Sequence, residues 1–135
     1  MRDLLTPSSF QDDWYGWATN QMGHAMIGMA MACVLTVAYF YVAGEFPFKW
    51  HLFAVIGCGY AAWELAVQKW QGWDTVEDWL FVCAYGSGGA ILAVSEYRVG
   101  SLVADLDLQQ AVWAFLLFAG HLAVGVGLRL RRADD

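Results

Sequence analysis

The sequence predicts an all-α integral membrane protein: a single domain, residues 1–135, built as a bundle of four transmembrane helices with an amphipathic N-terminal helix at the membrane interface. Three observations predict this fold. Of the 135 residues, 59% are hydrophobic, against roughly 45–50% in soluble domains. Several apolar runs lack a polar face over the length needed to cross hydrocarbon. Eight Trp and six Tyr suit a protein with two lipid–water interfaces.

The N-terminal segment, residues 1–22, mixes aromatic and polar residues. Phe10, Trp14 and Trp17 are separated by four and three positions, so they share one face of a helix. A helix with such a face is expected to lie on the membrane surface before the chain turns in. The segment has no apolar stretch that would make it a cleaved signal peptide.

Four apolar stretches downstream are predicted to cross the membrane as helices. Pro47 lies in the loop between the first two, and Gly72 ends the second. The pattern DTVE at residues 74–77 is typical of a helix start, with a capping side chain followed three residues later by an acid. A polar connection, residues 96–109, precedes the last stretch. The predicted spans are residues 23–44, 50–70, 78–95 and 110–128.

The third span is rich in small residues between Ala84 and Ala93. Small residues spaced four apart allow helix backbones to approach closely in lipid. We therefore expect this span to be central to the bundle, with its glycines serving helix packing.

Basic residues indicate the orientation of the chain. The positive-inside rule favours cytoplasmic termini, because this arrangement places five of the seven basic residues inside. The inside set is Arg2, Lys69, Arg129, Arg131 and Arg132, and the outside set is Lys49 and Arg98. The net charge of -6 argues against nucleic acid as a partner, since no basic stripe exists to neutralise phosphates. The expected partners are the lipid bilayer and either further copies of the chain or other membrane proteins.

The three cysteines, Cys33, Cys58 and Cys83, all fall within apolar runs and show no metal-binding spacing. Free cysteine is among the most buried residue types. We expect three small buried residues and no disulfide framework.

Polar residues are concentrated where three helix ends should meet at the cytoplasmic interface. They form pairs four residues apart, so each pair projects from one helical face. The predicted ligand-binding residues are Asn20 and His24, Glu64 and Gln68, and Asp74 and Asp78.

Glu64 and Asp78 lack a simple structural explanation. A charged side chain within a span costs about 2.5 to 3.5 kcal/mol at the helix centre, so Glu64 needs a partner. Carboxylates beside His24 have the composition of a divalent-cation site, and the candidate metal ligands are His24, Glu64 and Asp78. The same groups could instead bind the polar head of an amphiphilic ligand or perform acid–base chemistry in a hydrolytic or transfer reaction.

Structural interpretations compete with these functional ones. Asp74 and Glu77 suit a capping pair, and Glu64 could hydrogen-bond to His24 or Asn20 as part of the scaffold. His121, in the fourth span, is typical of a buried histidine whose hydrogen bonds are satisfied. Alternatively, His121 and Glu64 could form a proton path in a transporter. A non-enzymatic assembly subunit, or a phage-type holin or exclusion factor that acts through oligomers, is the alternative function.

Short motifs resemble those of the YjdF and VanZ-like group of small bacterial inner-membrane proteins. These are GHAMIG around residue 24, WEL at 63–65, and WDTVED at 73–78 followed by GSGGA at 86–90. The resemblance covers residues 23–90 and implies a location in the bacterial inner membrane and a functional polar site. Some members of the group are linked to glycopeptide antibiotic resistance. The matching positions are His24, Glu64, Asp74 and Asp78.

Overall fold

The computed structural model of the protein describes residues 13–45, 47–69, 72–97, 104–106 and 108–134. These residues form a helical bundle in which two helices contain π-helical stretches. The elements, in order, are α1 (Trp14–Ala43), α2 (Lys49–Trp63), π1 (Glu64–Gln68), α3 (Trp73–Trp79), π2 (Leu80–Gly88), α4 (Gly89–Ala93), β1 (Val94–Tyr97), β2 (Ala104–Leu106) and α5 (Leu108–Asp134). The prediction of a helical fold is confirmed.

Helix α1 begins earlier than the sequence predicts. Asp13 caps it, accepting hydrogen bonds from the backbone N–H groups of Tyr15 and Gly16 at 3.1 and 2.9 Å. The helix then continues for 30 residues to Gly44, whose φ of 72° ends it in the left-handed conformation. The prediction of a separate interfacial helix is therefore wrong for residues 14–22, because no helix breaker divides them from the span. Residues 1–12 of that prediction lie outside the described part of the chain.

The second and third helices meet at a tight connection. Helix α2 runs directly into π1, which ends at Lys69 with a φ of 61° and a hydrogen bond from the Lys69 N–H to the Glu64 carbonyl. Gly72, with φ 77°, is the N-cap of α3, and no side chain caps that helix. The predicted capping pair of Asp74 and Glu77 is therefore wrong, since Asp74 already lies within the first helical turn.

A short antiparallel strand pair joins α4 to α5. Strand β1 pairs with β2 in the register Val94 to Leu106 and Tyr97 to Ala104, with an irregularity after Val94. The sequence predicted only a polar connection here.

Within the part of the chain that the structure describes, three helices are long and apolar enough to cross a membrane: Trp14–Ala43, Lys49–Val67 and Leu108–Arg132. The continuous helical run at residues 73–93 is not among them; its first two turns carry three carboxylates. Large apolar side chains on the outer faces of α1, α2 and α5 are exposed, as expected for surfaces that contact lipid. These observations indicate a membrane protein.

The π2 stretch is the centre of the bundle, as predicted for the third span. Phe81, Val82 and Cys83 are completely buried, and α1 packs against π2 more extensively than any other pair of elements does. Backbones touch directly where they cross: a Cβ at Gly28 would overlap the Val82 carbonyl oxygen, and one at Gly86 would overlap that of Ala25. Only glycine permits this approach.

The cysteines differ from the prediction in their exposure. All three are free thiols, as expected, but only Cys83 is buried. Cys33 and Cys58 are exposed because they lie on the outer faces of α1 and α2. An apolar run within a membrane protein does not by itself distinguish a core position from a lipid-facing one.

Candidate functional site

The start of α1, the end of α2, the start of α3 and the end of α5 carry polar side chains that converge at one end of the bundle. Two clusters are present, and α3 contributes carboxylates to both. Asp78 belongs to the first cluster and Glu77 to the second. Consecutive residues of an α-helix project about 100° apart, so these neighbours face different helices.

The first cluster joins α3 to α1 through the Asp78 carboxylate. The side-chain amide of Gln21 donates a hydrogen bond to Asp78 Oδ1 at 2.9 Å, and His24 Nδ1 lies 3.1 Å from the same oxygen. His24 Nδ1 is also 3.4 Å from Gln21 Oε1. Gln21 is buried, whereas the side chains of His24 and Asp78 each keep 16% of their surface exposed. The cluster is therefore reachable from outside at His24 and Asp78.

Glu64 lies beside this cluster and is completely buried, with 0% of its surface exposed. Its carboxyl interacts electrostatically with Asp78 and His24, and the Tyr60 hydroxyl approaches it. However, neither Oε1 nor Oε2 has a partner in hydrogen-bonding geometry among the described residues. A hydrogen bond weakens steeply outside its distance and angle limits, so the approach of the Tyr60 hydroxyl does not satisfy this carboxyl. Glu64 is thus a buried carboxyl without a donor.

The second cluster joins α3 to α1 and α5 through Glu77. Glu77 Oε2 accepts a hydrogen bond from the Trp17 indole N–H at 3.1 Å and lies 3.6 Å from Arg129 Nη2. His121 Nε2 is 3.9 Å from Glu77 Oε1, while its Nδ1 is 3.0 Å from the Tyr85 hydroxyl. The Arg129 guanidinium also covers the Trp17 ring at 4.0 Å, a cation–π contact. Glu77 is surrounded by fixed donors and positive charge.

The structure divides the predicted site residues between the clusters. The expected proximity of His24 and Asp78 is confirmed, and Glu64 lies near both. Asp74 instead interacts electrostatically with Arg129 on the Glu77 side. Asn20 takes no part in the hydrogen bonds of either cluster, and its neighbour Gln21 occupies that role. The side chain of Gln68, at the end of π1, lies outside the described side chains.

Sequence reasoning missed several residues that hold the clusters together. Its spacing from Phe10 and Trp14 assigned Trp17 to an interfacial helix face, although it is only 3% exposed and donates to Glu77. Arg129 served only as an orientation signal, yet it pairs with Glu77. A spacing of four residues from Gln21 to Ala25, both buried, could have identified the inner face of α1.

The predicted divalent-cation site is not assembled. Across residues 13–45, 47–69, 72–97, 104–106 and 108–134, no group of three or more His, Cys, Asp or Glu side chains is placed to hold a metal ion. His24 Nδ1 is already directed at Asp78 and Gln21. His24, Glu64 and Asp78 therefore adjoin one another without the convergence that metal coordination requires.

Two apolar cavities lie elsewhere in the bundle. One, of about 400 Å³, opens between α1, α4 and α5 and has Tyr85 in its wall. The other, of about 390 Å³, lies near Lys49 and Gln110. Neither is lined by His24, Glu64 or Asp78.

Comparison with known proteins finds no family model, curated protein or solved structure that matches this chain.

Proposed function

We propose that the protein crosses the bacterial inner membrane four times, with residues 73–93 as the additional span and both termini in the cytoplasm. The burial of six of the nine residues of π2, between helices that can themselves span, supports this arrangement. The three arginines near the end of α5 favour a cytoplasmic position for that end. Both polar clusters then lie at the cytoplasmic interface.

We propose that the protein binds the positively charged polar head of an amphiphilic ligand at the cluster of His24, Asp78 and Glu64. The observation that carries this proposal is the Glu64 carboxyl, which is fully buried and has no hydrogen-bond donor in the described part of the chain. The resemblance to VanZ-like proteins rests on these three positions and Asp74, and is consistent with a site here.

A buried carboxyl without a hydrogen-bond donor is energetically costly. Leaving such a group unsatisfied costs about 1–3 kcal/mol, and more when it is charged. A structural glutamate would be expected to have its donors built into the fold, as Glu77 has. A donor supplied by a ligand removes the penalty only when the ligand is bound, so the unsatisfied carboxyl favours binding.

Lipid retention tests this proposal. The protein is purified in mild detergent from membranes, and the lipids that remain bound are counted by native mass spectrometry for the wild type, Glu64→Gln and Glu45→Gln. Glu45 is an exposed glutamate in the loop after α1, so its variant is the matched control. We expect the wild type and Glu45→Gln to retain lipid and Glu64→Gln to lose it.

Equal lipid retention by all three proteins would contradict the proposed function. The same spectra give the oligomeric state of each protein. Loss of bound lipid without a change in oligomeric state separates ligand binding from the alternative role as an assembly subunit.

A further inference from the structure

We propose that the group bound between Glu64 and Asp78 is a primary ammonium, R–NH₃⁺, rather than a metal ion or a quaternary ammonium. The proposal rests on the proposed function and specifies the chemistry of its ligand. It follows from a surplus of hydrogen-bond acceptors at the first cluster.

The surplus consists of carboxylate oxygens that receive no hydrogen bond from the described residues. Gln21 and His24 both direct their donors to Oδ1 of Asp78, and Oδ2 has no donor among the described residues. Both oxygens of Glu64 also lack one there. Three of the four carboxylate oxygens are therefore available. A primary ammonium carries three N–H donors and no acceptor, which matches the three available acceptor oxygens.

The charges agree with a single positive group. The cluster holds two carboxyl groups and one imidazole, whose Nδ1 lies 3.1 Å from Asp78 Oδ1. Its acidic groups therefore outnumber its basic group by one. A single ammonium restores the balance, and its hydrogen bonds to carboxylates are charge-assisted.

Other cations fit less well. A divalent metal ion needs several converging ligands, and the described residues contain no such group. A quaternary ammonium has no N–H, so it would leave the carboxylate oxygens unsatisfied even if the aromatic rings attracted it. Those rings belong to His24 and Tyr60, which meet edge to face with centroids 6.5 Å apart. These two rings are suited to contact the apolar carbon that is bonded to the ammonium nitrogen of the ligand.

The ammonium could belong to a lipid headgroup or to a free amine, and the experiment separates these sources. Wild-type protein is reconstituted in nanodiscs that contain phosphatidylethanolamine, its N,N-dimethyl derivative or phosphatidylcholine, and lipid retention is measured after extraction. The three headgroups share their charge and lose N–H donors stepwise. We expect retention to fall by about tenfold or more from the first lipid to the last, because hydrogen bonds to charged groups contribute about 1.5–3 kcal/mol.

Competition then identifies the source. Displacement of phosphatidylethanolamine by millimolar ethanolamine supports a site for the ammonium itself, whereas resistance supports recognition of the intact lipid. Displacement by Mg²⁺ or Zn²⁺ at similar concentrations would overturn the assignment in favour of a metal.

Variants complete the test. Asp78→Asn and Glu64→Gln should each abolish the preference for phosphatidylethanolamine, while Glu45→Gln preserves it. The headgroup series on the wild type needs no variant, so a folding defect cannot obscure it. Equal retention of all three lipids would refute the ammonium assignment and leave the proposed function intact, whereas absence of retained lipid would refute both.

Discussion

Glu64 and Glu77 are two glutamates at the same end of one bundle, and their surroundings are opposite. Glu77 has an indole N–H, a guanidinium and an imidazole around its carboxylate. Glu64 is more deeply buried and has no donor among the described residues. The difference separates a carboxylate that holds helices together from one whose oxygens receive no hydrogen bond from the described residues.

The comparison also shows that burial alone does not identify a site. Glu77 keeps 13% of its side-chain surface exposed and Glu64 keeps none, so both are taken out of water. What differs is the number of compensating groups. A buried ionisable residue indicates a binding site only when the fold leaves its hydrogen-bonding atoms unpaired.

The largest effect is expected from Glu77→Ala. This change leaves the Arg129 charge against Trp17 without its carboxylate, and breaking a buried ion pair on one side costs about 3–5 kcal/mol. Unfolding in mixed micelles, followed by circular dichroism, measures the loss. The double variant Glu77→Ala/Arg129→Leu should recover part of it. A loss below about 1 kcal/mol, the range of exposed pairs, would show that the two glutamates are equivalent.

Glu64→Leu should change stability in the opposite direction. An apolar side chain of similar size removes a buried carboxyl that has no donor among the described residues, and leaving such a group unsatisfied costs about 1–3 kcal/mol. The same micelle assay should show a higher free energy of unfolding, together with lost lipid retention. Destabilisation comparable to that of Glu77→Ala would mean that Glu64 is also a scaffold residue.

Asp78→Asn tests a carboxylate that contacts Gln21 and His24 across the helices and also lines the proposed binding site. The amide oxygen can still accept from Gln21, but the charge that attracts His24 is lost, so we expect a cost of about 1.5 kcal/mol, the lower range for hydrogen bonds to charged groups. Asp74→Asn, one turn earlier on α3, is the comparison variant. The charge of Asp74 acts on Arg129 and on the helix N-terminus, so we expect a smaller cost of about 0.3–1 kcal/mol. Equal effects of the two variants would argue against a special contact at Asp78.

The smallest effect is expected from Tyr85→Phe. The change removes only the hydroxyl that lies 3.0 Å from His121 Nδ1, and a single hydrogen bond contributes about 1 kcal/mol. Tyr41, which is 85% exposed near the end of α1, supplies the control Tyr41→Phe with no expected change. A loss of lipid retention in Tyr85→Phe would extend the binding site to the Glu77 side.

Much of the architecture could be predicted because it depends on composition and spacing. Apolar length predicted the helices, and the small residues after Ala84 predicted the central position of π2, where Gly86 meets the backbone of α1. The meeting of His24 with Asp78 followed from chain topology, since up-and-down helices bring alternate ends together.

The remaining parts depend on details that periodicity does not contain. A spacing of four identifies a face but not which of two adjacent residues points inward, so Asn20 was predicted where Gln21 makes the contacts. Glu77 resembled a cap because the pattern DTVE suits one, yet its partners Trp17 and Arg129 are distant in sequence. Contacts of this kind are set by tertiary packing.

The π2 stretch makes the separate roles of Glu77 and Asp78 depend on helical register. Its hydrogen bonds span five residues rather than four, and Gly86 is held against α1 at its far end. Inserting one residue into α3 directly after Asp78 would turn the preceding carboxylates by about 100° relative to Gly86. Neither carboxylate would then face its present partners, although the hydrophobic composition would hardly change. This helix should therefore tolerate substitutions on its surface far better than a change in its length.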